Sequence, residues 1–223
     1  MEVTRIKVDP HVHTRYSGHS TITCERLEAR ARKFDIDCIG LTDHDSIEGA
    51  FELRDRGHIK TIVGEEITTT KGEIIGLFLT KPIDKRPIKP RECLNAIKDQ
   101  GGLSMVPHPF DHLRKRSLNL VDIILEADIL EVFNSRTLYK KDNEKAEALA
   151  EEHGLVRAIG SDAHLLMEIG NAYMEMADFK GPEDFMKGLR SKSIKFHKKT
   201  AGITVHGITK VLKKMHGYGK GRR

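Results

Sequence analysis

The run Asp9-Pro10-His11-Val12-His13 closes a predicted strand with two imidazoles two residues apart. Successive strand side chains alternate faces, so both rings point the same way and can reach one metal ion. Groups of the same chemistry recur at Thr42-Asp43-His44-Asp45, Gly64-Glu65-Glu66, Pro107-His108-Pro109 and Ser161-Asp162-Ala163-His164. Each alone has an ordinary reading. His44 sits where Asp45 or Ser46 would cap a helix, His108 suits a turn between prolines, and Asp162 suits a helix start. Together, each at the end of a predicted strand, they make a metal site. Imidazole and carboxylate without thiolate suit zinc, manganese or iron, and there are more ligands than the four a structural zinc takes. A cluster of two or three divalent ions follows. Such a cluster polarises a phosphoryl oxygen and activates water, which points to phosphoester hydrolysis.

Short apolar, β-branched runs at 5–9, 37–41, 61–67, 73–79, 102–106, 129–133 and 156–160 read as strands, and 23–34, 46–56, 90–100, 120–126 and 142–153 as helices between most of them. Repeated βα units imply a parallel sheet, doubly wound or closed into a barrel, with a hairpin at 68–72 breaking the alternation. In a barrel the strand ends converge on one mouth, which gathers ligands that lie far apart in sequence. After the seventh strand, 166–178 carries no assigned strand, and Gly181-Pro182-Glu183 starts a helix to about residue 192. Val205, Ile208, Val211, Leu212 and Met215 then recur at helical spacing, with Lys210, Lys213 and Lys214 on the remaining face. The expected division is a catalytic barrel over 1–203 and a basic amphipathic helix with a flexible end over 204–223.

The 223 residues suffice for one sizeable core. No run approaches the roughly twenty apolar residues of a membrane span, and the first residues lack the apolar core of a secretion signal, so a cytoplasmic protein without membrane contact is expected. Cys24, Cys38 and Cys93 form no Cys-x-x-Cys pair and are expected to be reduced and buried. The net charge of +5 is uneven. Residues 180–223 carry 13 Lys and Arg against Glu183 and Asp184, giving +11 and leaving −6 for the rest. The basic end is either a solvated face or an anion-binding surface for nucleic acid. Oligomeric state is not encoded in any feature of the sequence.

Taken in order, these motifs resemble the polymerase and histidinol phosphatase (PHP) family of metal-dependent phosphoesterases, over residues 4 to about 175. The resemblance implies a distorted seven-stranded (β/α)7 TIM-like barrel with a cluster of two or three metals. It implies that His11 and His13 bind a first metal, that Glu66 rather than Glu65 bridges, and that His108 serves a second metal. Asp162 returns to the first, His44 and His164 serve an outer one, and His19 matches a metal-binding histidine that some members place there, where others have an acid one position earlier, at Gly18 here. Where many members have a histidine in the fourth strand this chain has Glu73, which either ligates through oxygen or pairs with a surface base. Asp43, Arg15 and Arg136 are candidate catalytic residues. The two arginines would grip phosphate oxygens, with Arg114, Lys115, Arg116 and Asn134 as further candidates. The implied substrate is a phosphorylated small molecule, a nucleotide or an oligonucleotide end. Competing readings are a noncatalytic RNA-binding barrel like the ribonuclease P protein subunit, and a metal-dependent amidohydrolase.

Overall fold

The computed structural model describes residues 4–84, 87–202, 204–205, 207–209 and 211. β1 (Arg5–Val12), β2 (Cys38–Leu41) and β3 (Lys60–Thr69) run parallel, with α1 (Cys24–Lys33) and α2 (Glu48–Arg56) as crossovers. β4 (Gly72–Leu77) returns antiparallel from β3 through a hairpin that pairs Thr69 with Gly72. It also runs antiparallel to β5 (Leu103–Val106), which follows α3 (Pro90–Lys98). β6 (Ile129–Asn134) and β7 (Arg157–Gly160) continue parallel, reached through α4 (Val121–Glu126) and α5 (Lys140–His153).

The helices form where the sequence offers ends as well as faces. Thr23 accepts the Arg26 N–H at the start of α1, which buries Leu27 and Ala31. Pro90 opens α3, and Gly154, at φ 64°, closes α5.

β1 closes the barrel by changing partners along its length. Its first half pairs antiparallel with β8 (Ala172–Ala177), from Arg5 with Ala177 to Val8 with Met174. Its second half meets the chain leaving β7: the Asp162 N–H donates to the His11 carbonyl (2.8 Å) and the His13 N–H to that of Ala163 (3.0 Å). β1 to β7 thus enclose the barrel, while β8 and β9 (Lys195–Lys198) extend a nine-stranded sheet beyond it.

The sequence pattern assigns no strand to 166–178, where the structure has β8. The alternation of a strand is present there, since Ala172, Met174 and Met176 are buried and Tyr173, Glu175 and Ala177 are only partly so. Alanine and methionine favour helices, which hides the period of two. α6 (Pro182–Leu189) ends short of residue 192 because the chain turns into β9.

The last described residues are helical, but the stripe differs from the expected one. Val205 and Thr209, one turn apart, are buried, while Ile208 and Val211 are exposed. Lys210, Leu212, Lys213, Lys214 and Met215 lie outside the described residues. The three cysteines are buried and free. Among the described residues no helix is long and apolar enough to cross a membrane.

Candidate metal centre

The strand ends deliver nearly every expected ligand to one mouth. His11 comes from β1 and His13 from the residue just after it, His44 from the turn after β2, Glu66 from β3, His108 from the turn after β5, and Asp162 and His164 from the turn after β7. Glu73 joins them because β4 is antiparallel, so its first turn lies at the mouth. His19 arrives on the loop after β1. All are buried. Glu65, next to Glu66, faces the other way and accepts the Ile83 N–H (3.0 Å).

Four of the histidines are oriented alike. Nδ1 of His11 lies against Glu131 Oε1 (2.9 Å), that of His13 against Ser17 Oγ (3.0 Å), that of His19 against the Ser17 carbonyl (3.0 Å), and that of His164 against the Asp162 carbonyl (2.8 Å). With the Nδ1 proton held by these acceptors, each ring presents the Nε2 lone pair inward, the arrangement that supporting hydrogen bonds give metal-binding histidines. The Nε2 atoms meet in pairs, His11 with His13 at 3.1 Å and His19 with His164 at 2.8 Å. Lone pairs so close need a shared cation or a proton between them.

The carboxylates meet the same need. Glu66 Oε2 lies 3.2 Å from His13 Nε2 and 3.1 Å from His44 Nδ1, and Asp162 Oδ1 lies 3.3 Å from His13 Nε2. Both oxygens are buried and lack a hydrogen bond of sound geometry. Bare buried carboxylate oxygens are costly without a cation. Four overlapping sets have ligand atoms close enough to share an ion: His11, His13 and Asp162; His11, Glu66 and His108; His44, Glu66 and Glu73; and His13, His44 and His164. These residues fit a cluster of divalent ions. The backbone is strained at two of them, with φ of 32° at His108 and 52° at Asp162. Such conformations in non-glycine residues collect at functional sites.

Burial works against the charge of Glu66 and Asp162, yet both are held well below the ordinary carboxylate range. His44, His108 and His11 hold Glu66, while Arg114 and His11 hold Asp162. Burial also disfavours the His11 imidazolium, but Glu131 and Asp162 outweigh it and hold the ring well above its usual value. His164 moves the other way, held well down by burial and by His13, Arg136 and His19. Burial, reinforced by the Glu66 charge, pushes the Glu73 carboxyl up to about 8.

The expected catalytic residues stand differently from the ligands. Arg15 is not brought to the cluster. Its exposed guanidinium lies 3.3 Å from Glu52, because the short helical turn it opens faces α2. Arg136 is buried rather than free at the mouth, its Nε 3.3 Å from Glu168. Asp43 does not face the ligands openly. It accepts from the Thr14 N–H and hydroxyl (2.6 Å each) and from the Ser17 hydroxyl (2.5 Å). Ser17 in turn receives the His44 N–H (3.1 Å) and His13 Nδ1, so Asp43 orients two ligands through one hydroxyl.

Two guanidinium groups reach the cluster: that of Arg114, at 2.5 Å from Asp162 Oδ2 and 3.0 Å from Asp111, and that of Arg116, whose Nη1 lies 3.6 Å from Glu73 Oε1, so Glu73 has the surface base as a partner. Asn134 lies beside Arg114 and donates to Glu131 (2.9 Å). Glu131 is the residue that sequence reasoning passes over. It holds His11 through Oε1 and accepts the His108 N–H through Oε2 (2.8 Å). Its signal is a carboxylate inside the apolar run Ile129-Leu130-Glu131-Val132-Phe133. Gly160 leaves room for this pair, since a Cβ there would meet Glu131 Oε1 at 2.5 Å and His11 Cβ at 2.6 Å.

Comparison with known proteins bears on the fold and the family. The PHP-associated family model matches residues 140–194. The uncharacterised protein MJ0417 of Methanocaldococcus jannaschii is 36% identical over 201 residues, covering 84% of this chain and 81% of its own length. Among solved structures, a two-domain Bacteroides vulgatus protein containing a predicted PHP-like metal-dependent phosphoesterase superposes with a TM-score of 0.71 at 16% identity. The match covers 88% of this chain and 66% of that one. The lesion-specific endonuclease PfuEndoQ of Pyrococcus furiosus gives 0.66 at 16% identity over 86% of this chain and 58% of its own. This chain thus spans about two thirds of the first of those structures and less of the second. The relative at 36% identity over most of both chains and the PHP-associated match over residues 140–194 agree with what the motifs imply, and the superposed structures share the barrel: the chain belongs to the PHP family.

Proposed function

We propose that this protein is a metal-dependent phosphoesterase that hydrolyses a phosphomonoester, a nucleotide or an oligonucleotide end. The observation that carries the reading is the convergence of bare carboxylate oxygens and inward Nε2 atoms in one buried mouth. Divalent ions bound there would supply Lewis-acid polarisation of a phosphoryl oxygen and activation of water. His11, His13, Glu66 and Asp162 would hold the first, Glu66, Glu73 and His108 the second, and His13, His19, His44 and His164 an outer one.

The protein's own groups do the remaining work. Arg114 is held against Asp111, Asp162 and Asn134 through Nε and Nη2, which fixes its charge beside the cluster where it can stabilise a phosphate oxygen. Burial of the ligands lowers the local dielectric, which strengthens charge interactions made there. A noncatalytic RNA-binding barrel would have no use for so costly a set of buried charges. Manganese-, zinc- and iron-loaded protein incubated with panels of phosphoesters and N-acyl compounds tests the reading. Turnover of phosphoesters is expected, and turnover of N-acyl substrates alone would replace it with the amidohydrolase reading.

A further inference from the structure

Glu168 lies fully buried behind the last ligand turn, and its Oε2 accepts the backbone N–H of His164 and of Leu165 (2.9 Å each). Its other oxygen lies 3.3 Å from Arg136 Nε. Arg136 donates through Nη2 to the Thr209 hydroxyl (2.8 Å), and that hydroxyl donates to the Val205 carbonyl one helical turn earlier (2.8 Å). The segment carrying Thr209 is tied down on its way there. The Ala201 N–H donates to the Ser135 carbonyl (2.7 Å), the Ser135 hydroxyl donates to the Lys199 carbonyl (2.8 Å), and Leu165, Ala201 and Val205 pack as a small buried cluster of their own.

We infer that Glu168 is a positioning residue for His164, and that the C-terminal helix sets it through Thr209 and Arg136. The far end of the chain is then part of the metal centre. The inference rests on the reading of that centre as a metal site. His164 follows a strained residue, Asp162 at φ 52°, so its ring direction depends on what fixes the turn. One carboxylate receiving two consecutive N–H groups fixes it. That carboxylate is a buried charge that needs Arg136, and the Arg136 fork is held in place by Thr209. Outer partners of this kind orient metal ligands without touching the metal.

The test is Mn2+ uptake by the metal-stripped full chain, read by calorimetric titration and by metal content after dialysis. T209V removes the hydroxyl at nearly constant volume, and E168Q removes the charge. Both should weaken the ion held through His164 by about 10- to 100-fold, E168Q more than T209V, and leave the tighter ions in place. T209S should restore wild-type uptake. The relay is overturned if T209V and E168Q titrate like wild type, if they loosen all ions equally together with the melting temperature, or if T209S fails to restore binding. A wild-type chain that takes up no Mn2+ overturns the metal centre and the relay with it. Absent phosphoester turnover with normal uptake counts against the proposed function and leaves the relay standing.

Discussion

At the end of the barrel where the parallel strands begin, Phe78, Phe179 and Phe185 meet edge to face, with ring centroids 5.0 to 6.1 Å apart. Lys60 lies over the Phe179 ring and pairs with Asp178 at the rim. At the other end, equally buried, histidines and carboxylates stand with lone pairs and bare oxygens turned on one another. The floor gains from every atom it hides from water. The mouth loses by the same burial, since unpaired charged oxygens are costly away from water. Under the proposed function, stability and chemistry are placed at opposite ends of the same strands.

Substitutions at the two ends should separate those properties. His13→Ala and Asp162→Ala are expected to remove more than about 100-fold of phosphoester hydrolysis, since loss of a ligand exceeds the usual cost of losing its supporting partner, and to leave the thermal transition of the metal-free protein in place. Activity assays beside calorimetry check this, and turnover retained in both variants breaks the comparison. Phe185→Ala should do the reverse. A cavity under α6 is expected to cost about 3–5 kcal/mol in denaturant unfolding, with metal content unchanged.

Glu73 sharpens the contrast because its cost and its use have opposite pH signs. In the metal-free chain its folded pKa of about 8 exceeds the ordinary 4.5. Its contribution to stability is therefore full below 4.5 and is lost as pH rises to about 8. Glu73→Gln escapes that loss. The metal-free variant should be more stable than wild type by about 1–3 kcal/mol near pH 8, with the gap closing toward pH 5. With saturating Mn2+ the order should reverse, because the ion uses the carboxylate. Unfolding at both pH values, with and without metal, reads all four states.

The smallest effect concerns the basic end of the chain. Removing residues 212–223 is expected to flatten the fall of oligonucleotide affinity with salt, by about 0.7 in log–log slope for each phosphate the shortened chain no longer neutralises, without changing turnover of a small chromogenic phosphoester. Removing 204–223 also takes Val205 and Thr209 and should impair both. Equal effects of the two truncations would assign the tail no role in nucleic-acid affinity.

The motifs at strand ends are legible because each chemical group sits beside a recognisable apolar run, so that His11, His44, His108 and Asp162 can be placed before their neighbours are known, whereas Glu66 over Glu65 follows only from the family resemblance. What eludes the sequence is contact between elements. Arg15 looks well placed until Glu52 of α2 is found beside it. Arg114 is one cation among three until its partner proves to be Asp162. Glu131 and Ser17 act on histidines outside their own elements, which no local spacing reveals. β8 is hidden by helix-favouring residues, and the tail's buried face falls one step away from the stripe its apolar residues trace.

The seam between β1 and the turn after β7 has a dynamic consequence. Two backbone–backbone hydrogen bonds, from the amides of Asp162 and His13, stitch it beside the Ser161 N–H on Asp9 and the Ser161 hydroxyl on the His11 carbonyl, and those two amides belong to residues whose side chains enter the cluster. Two backbone bonds contribute only about 1 kcal/mol each, far less than a full ladder. The breathing of the barrel and the dispersal of its ligands are thus a single opening event. An ion bridging His11, His13 and Asp162 would clasp that seam from within. Deuterium exchange at these two amides should slow sharply when metal is added, while amides in the β2–β3 ladder keep their pace.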